Sequence, residues 1–135
     1  MKNISKEPGE QELSGEWEVD NFSYNLIKEQ YDLKDRKVEL IFKKNGKFEA
    51  INFPDFVAEG SGKTINRKFV NATGEWETEL YKGIWVLNMR FDKGELFEEG
   101  MYMSYDLYEK DSELVIWTFI GDPDQGDRLM FKKKK

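Results

Sequence analysis

Carboxylates are the only abundant side chains here that could move protons near neutral pH: the chain holds 27 Asp and Glu but no His and no Cys. Without imidazole it lacks the commonest general base and the commonest transition-metal ligand. Without thiol it has no disulfide, no thiolate metal site and no cysteine nucleophile, and must be held together by its core. Two carboxylates suffice for glycoside hydrolysis, which needs an acid and a base or nucleophile on either side of a sugar bond. Glu75 and Glu77 have the spacing that places both on one face of a strand, with Trp76 on the other. Among so many acidic residues such pairs arise by chance, and nothing marks these two as buried or perturbed. They read as solvated surface groups, and the protein is expected not to be an enzyme.

Two further clusters have plainer explanations. Asp122, Asp124 and Asp127 with Gly126 suggest a hard-cation site, but their spacing does not match the twelve-residue calcium loop and no glutamate closes it. Asp-Pro and Gly are ordinary turn residues, so a turn is expected and no metal. Gly60-Ser61-Gly62-Lys63-Thr64 resembles the end of a phosphate-binding loop, yet Val57 stands where the earlier glycine is required and no strand–loop–helix context surrounds it. No cofactor is expected. Asn3, Asn21 and Asn71 begin Asn-x-Ser/Thr triplets, which matter only in a glycosylating pathway.

The elements that would position these groups are read from alternation. Leu13, Gly15, Trp17 and Val19 fall on one side of a period-2 pattern and Ser14, Glu16, Glu18 and Asp20 on the other, which predicts a first strand. Over 21–36, Tyr24, Ile27 and Tyr31 have helical spacing among polar residues, so a short helix and a long crossing loop are both compatible. Val38, Leu40 and Phe42, then Phe48 and Ala50, flank Lys44-Asn45-Gly46-Lys47 as a hairpin, with Asn-Gly suited to a type I′ turn. Pro54 ends the second arm.

Beyond it, Gly60 to Lys63 reads as a flexible loop, 67–70 as a short strand and 74–80 as another. Residues 84–91, apolar on both faces in their early part, predict a central strand after Gly83. An acidic connection over 93–100 precedes a strand at 101–109. The run Leu114 to Ile120 predicts the most buried strand, 121–127 a turn, and 128–132 the last strand. Eight or nine strands spaced by turns, with no long helix, specify an all-β fold: a single antiparallel up-and-down barrel or sandwich. The expected organisation is a flexible polar leader at 1–12, the β domain at 13–132 and a basic tail at 133–135.

Gly15-Glu16-Trp17 recurs as Gly74-Glu75-Trp76, each within Gly-Glu-Trp-Glu. The recurrence reads either as a pseudo-repeat of two half-barrels or, more simply, as a strand opening in which glycine bends the chain and the indole plugs a barrel end. At these residues the chain resembles the lipocalin and calycin group, in which a Gly-x-Trp in the first strand packs at the closed barrel end beneath an Arg from near the last strand. The resemblance implies a lipocalin-like barrel with Gly15 and Trp17 in those places and Arg128 stacked on the indole. The hairpin ending in Asn-Phe-Pro, the second Gly-x-Trp and the closing Ile-Gly-Asp-Pro-Asp followed by Leu-Met-Phe-Lys-Lys are similar to small bacterial lipocalin-like proteins of uncharacterised function. The chain departs from secreted lipocalins in having no cysteine and no recognisable helix before its last strand.

On this reading the inward positions Phe42, Phe48, Trp85, Met89, Met103 and Tyr105 line a barrel interior or mouth able to accept a small apolar ligand. A barrel of eight strands is also just wide enough for its own side chains to fill. The alternative is a protein-interaction role, such as a bacterial inhibitor or immunity protein. The net charge is −6, and without Lys132–Lys135 the remainder carries 17 basic and 27 acidic residues, a charge of −10. Such a surface repels phosphate backbones and anionic lipid but steers a basic protein partner, with Tyr81, Tyr102 and Tyr108 reading as exposed contacts. Nucleic acid is therefore not an expected partner. Nor is membrane insertion, since no run of 18 apolar residues exists. The location is expected to be cytoplasmic, or periplasmic or secreted if a signal peptide has been removed.

Overall fold

Trp17 sets the lower end of the structure. The computed structural model describes residues 2–34, 36–61, 64–120 and 127–134. After a two-residue strand β1 (Lys2–Asn3) and a single turn α1 (Glu10–Leu13), strand β2 (Gly15–Val19) carries Trp17 fully into the core. Its Nε1 donates to the Leu13 carbonyl at 2.8 Å, satisfying the one polar atom the buried indole brings. The expected loose leader thus contributes structure of its own: Lys2 and Asn3 pair antiparallel with Glu109 and Tyr108, and the Ile4 carbonyl accepts from Trp85 N.

Nine further elements follow among the described residues. Helix α2 (Asn21–Gln30) is followed by β3 (Glu39–Phe42), β4 (Lys47–Pro54), a 3₁₀ segment (Asp55–Ser61), β5 (Phe69–Tyr81), β6 (Ile84–Phe91), β7 (Met101–Lys110), β8 (Glu113–Phe119) and β9 (Arg128–Lys133). Strands β2 to β9 pair antiparallel with their neighbours in sequence, and β9 pairs back onto β2. The result is a closed eight-stranded up-and-down barrel with β1 added against β7, compatible with a lipocalin-like fold. Closure leaves no long unpaired edge, which suits a small antiparallel sheet without disulfides.

The open question over 21–36 resolves as a helix because Asp20 caps it: its side chain accepts from Ser23 N at 2.9 Å. The buried stripe is Ser23, Ile27 and Tyr31, whereas Tyr24 faces solvent. The Ser23 hydroxyl accepts from Met130 N and donates to the Arg128 carbonyl, pinning the helix to the start of β9, where β2 no longer pairs.

Four other expectations need correction. The β3–β4 hairpin forms, but only Gly46 takes a positive φ (81°), with Gly46 N donating to the Lys43 carbonyl and Lys43 N to that of Lys47. Asn45 instead accepts from Lys47 N, so the turn is a three-residue loop rather than type I′. The separate strands at 67–70 and 74–80 are one strand, β5, because Gly74 admits a neighbour instead of breaking the ladder. A Cβ there would lie 2.6 Å from the Phe48 ring and closer still to the Arg90 carbonyl. The Gly60–Lys63 loop is a 3₁₀ turn as far as Ser61, while Gly62 and Lys63 lie outside the described residues. The most buried strand is β6, with five buried residues, and not β8, whose Val115 and Trp117 turn outward against Tyr108 and Met130.

The upper end is covered by α2, by the 3₁₀ segment, whose Phe56 and Ala58 enter the core, and by the β6–β7 connection, whose Leu96 and Phe97 fold back under it. The turn expected at 121–127, including Asp122, Asp124 and Gly126, lies outside the described residues except for Asp127, whose carbonyl accepts from Ile120 N.

Candidate functional site

The six residues expected to line the interior share one core. Phe42, Phe48, Met89 and Tyr105 are fully buried, and Trp85 and Met103 are half-buried against the same cluster. Register brings them together: Phe42 faces Phe48, Met89 faces Met103, and Tyr105 faces Leu87. Part of the interior is taken by a chain of rings in edge contact. Trp17 meets Phe42 at 6.3 Å between centroids, Phe42 meets Trp76 at 5.6 Å, and Phe48 meets Phe91 at 5.0 Å. Trp85 lies apart from them, beside the N-terminal segment that crosses the β5–β6 hairpin.

Tyr105 stands out chemically. Its hydroxyl is buried with no hydrogen-bond partner, and burial pushes its pKa above the ordinary range of a phenol. A buried hydroxyl without a partner costs about 1–3 kcal/mol. Met89 and Met103, unbranched and adaptable, face each other across the strands two positions along the same face from the Leu87–Tyr105 pair, in the same core cluster.

The upper closure rests on a polar latch that the sequence did not reveal. Tyr31 donates to Asp55 Oδ1 at 2.5 Å, Asn66 N donates to Asp55 Oδ2 at 2.7 Å, and Phe56 N donates to the Tyr31 oxygen at 3.1 Å. Burial, then the hydrogen bond to Asp55, raises the Tyr31 pKa above its usual value. The partners lie 24 residues apart, so no local pattern joins them.

The implied stacking of Arg128 on Trp17 does not occur. Trp17 pairs across the strands with Lys133, placing Arg128 at the opposite end of β9, where its guanidinium lies 4.5 Å from the Phe22 ring. Lys133 ties the first and last strands instead, its Nζ donating to the carbonyls of Gln11 and Glu12. Gly15 permits this with φ +126°, since a Cβ would lie 3.0 Å from the Lys133 chain. Lys133 and Lys134 are therefore not a solvated tail: Lys133 ends β9, and Lys134 donates its N–H to the Glu16 carbonyl and pairs with Glu39.

On the outer face, register sets three rows side by side on β5, β6 and β7: Glu75, Arg90 and Tyr102; Glu77, Asn88 and Ser104; Glu79, Val86 and Asp106. Glu75 pairs with both Lys47 and Arg90, and the hydrogen bond from Lys47 leads in lowering its pKa. Tyr102 donates to Glu77, Asn88 Nδ2 to Glu79, and Ser104 to Asn88 Oδ1. Of the tyrosines read as exposed, Tyr81 and Tyr102 are, whereas Tyr108 packs on Trp117 at 5.3 Å. Among the described residues no group of three or more Asp or Glu is arranged to hold a metal ion, and no helix is long and apolar enough to cross a membrane.

Fold and site together define a closed antiparallel β-barrel with an aromatic interior. In comparisons with known proteins, no family model, no curated protein and no solved structure matches the chain.

Proposed function

We propose that this barrel is a non-enzymatic, lipocalin-like binding domain that accepts a small, largely apolar molecule bearing one hydrogen-bonding group. The observation that carries the reading is the Tyr105 hydroxyl, buried and unpartnered beside Met89 and Met103. Small-molecule sites are mostly apolar with a few polar groups that fix orientation, and a lone phenol against two flexible thioethers has that composition. A ligand acceptor would take the hydroxyl proton and offset the desolvation that the phenol bears unaided.

The test is fluorescence titration of the full chain with 1-aminoanthracene, paired with native mass spectrometry of freshly purified protein. Saturable one-to-one binding, weakened about tenfold or by roughly 1.4 kcal/mol in Tyr105→Phe, is the expected result. Binding that is absent, or unchanged in Tyr105→Phe, would refute this assignment.

A further inference from the structure

Asn88 is 1% exposed although its side chain leaves the barrel on the outer face, away from the core. An outward amide on a solvated sheet is ordinarily wet. This one is the floor of a pit of about 120 Å³ walled by Glu75, Glu77, Arg90 and Tyr102, with Trp76 at its margin. We infer that this pit is a second binding site, separate from the barrel interior, and that it takes the pyranose ring of a neutral saccharide.

Arg90 commits Nη2 to Glu75 and keeps further N–H donors in its fixed fork. Asn88 uses one amide hydrogen on Glu79 and has a second. Glu77 accepts from Tyr102 and retains acceptor capacity, since a carboxylate offers about four lone-pair sites. The Tyr102 residue is 55% exposed at the rim, offering a flat surface that a C–H face can cover. Donors and acceptors thus converge on one small volume. An anionic ligand would meet the carboxylates of Glu75 and Glu77, and a cationic one the guanidinium of Arg90. Sugar hydroxyls donate and accept at once, so a neutral polyol satisfies both sets without burying an unmatched charge.

The two carboxylates do not by themselves make the site catalytic. Glu75 is held ionised by Lys47 and Arg90, which suits a fixed acceptor and not a proton donor.

The experiment is a titration of the ¹⁵N-labelled full chain with methyl glucoside, methyl galactoside, methyl mannoside and N-acetylglucosamine, followed by amide and side-chain NMR shifts. Support is a saturable shift of the Asn88 side-chain amide and Arg90 with at least one sugar, weakened tenfold or more in both Tyr102→Ala and Arg90→Ala. Both side chains are largely exposed, so both variants should keep the wild-type circular-dichroism spectrum. Conservative Tyr102→Phe, which keeps the ring, should retain most of the affinity. No saturable shift with any of the four sugars overturns the proposal, as does binding indifferent to Tyr102→Ala. Saturable binding of methylguanidinium at the same residues in preference to the sugars would also overturn it and assign the pit to a basic side chain. Because 1-aminoanthracene reports on the interior, either site can fail without the other.

Discussion

Tyr31 and Asp55 are joined by a 2.5 Å hydrogen bond that links the end of α2 to the start of the 3₁₀ segment, with both residues buried. The same phenol oxygen accepts from Phe56 N, and the same carboxylate from Asn66 N. One pair therefore satisfies four polar groups at the barrel's upper end, where Tyr31 also packs edge-on against Phe56 at 5.6 Å. The closure behaves as a unit: removing either partner strands the other in a place water does not easily reach.

Tyr31→Phe keeps the ring contacts but deprives Asp55 of a donor and Phe56 N of its acceptor. A loss of about 1–3 kcal/mol is expected in urea denaturation, with faster amide exchange of Phe56 and Asn66 while the strands keep their protection. Unchanged stability would mean that the latch carries little of the closure.

Gly74 lets the Phe48 ring lie against the backbone of β5, and Phe48 in turn meets Phe91. Gly74→Ala forces a methyl into that contact with no open space to take it. Overpacking of this kind costs roughly 1–3 kcal/mol. A lowered melting temperature together with displaced Phe48 and Phe91 ring resonances is the expected outcome; a stabilised variant would contradict the packing described.

What could be read from the sequence follows the range of each signal. Alternation at Leu40–Phe42 and Phe48–Ala50 is local, so the hairpin is legible with Phe42 and Phe48 facing inward, and the alternation within β6 and β7 places Met89 and Tyr105 inward in the same way. Register between distant strands is not local. Arg128 and Lys133 are both basic residues of β9, and only the pairing of Trp17 with Lys133 decides which of them meets the N-terminal turn. Asn88 reads as one polar residue in an alternating strand; its burial depends on Glu79 and Ser104 from the strands on either side. Leu96 and Phe97 sit in a stretch that reads as acidic, and their inward fold reflects the packing of Phe97 on Phe91.

The division of labour between Lys133 and Arg128 can be measured. Lys133→Ala removes two charge-assisted bonds to the carbonyls of Gln11 and Glu12, next to Leu13, which holds the Trp17 indole. The expected cost is about 1 kcal/mol, with faster hydrogen exchange of the Trp17 indole N–H. Arg128→Ala loses a half-buried contact with Phe22 worth about 0.5–2 kcal/mol and should leave that exchange unchanged. The reverse pattern would restore Arg128 to the role implied by the family resemblance.

Asp106 lies on the outer face between Val86 on β6 and Trp117 on β8, and burial against these neighbours raises its pKa above the ordinary 3.8. Tyr108, two residues along the same face, is raised by burial and then by the Asp106 charge. A carboxylate raised on folding binds its proton more tightly in the native state than in the unfolded one. Its favourable contribution is therefore complete below the unfolded pKa and is lost as pH rises through the folded value, leaving a penalty at neutral pH. Asp106→Asn removes that penalty without changing shape. The variant should melt above the wild type at pH 7, and its advantage should shrink as pH falls below the carboxylate range. An advantage independent of pH would trace the effect to packing or hydrogen bonding rather than to the buried charge.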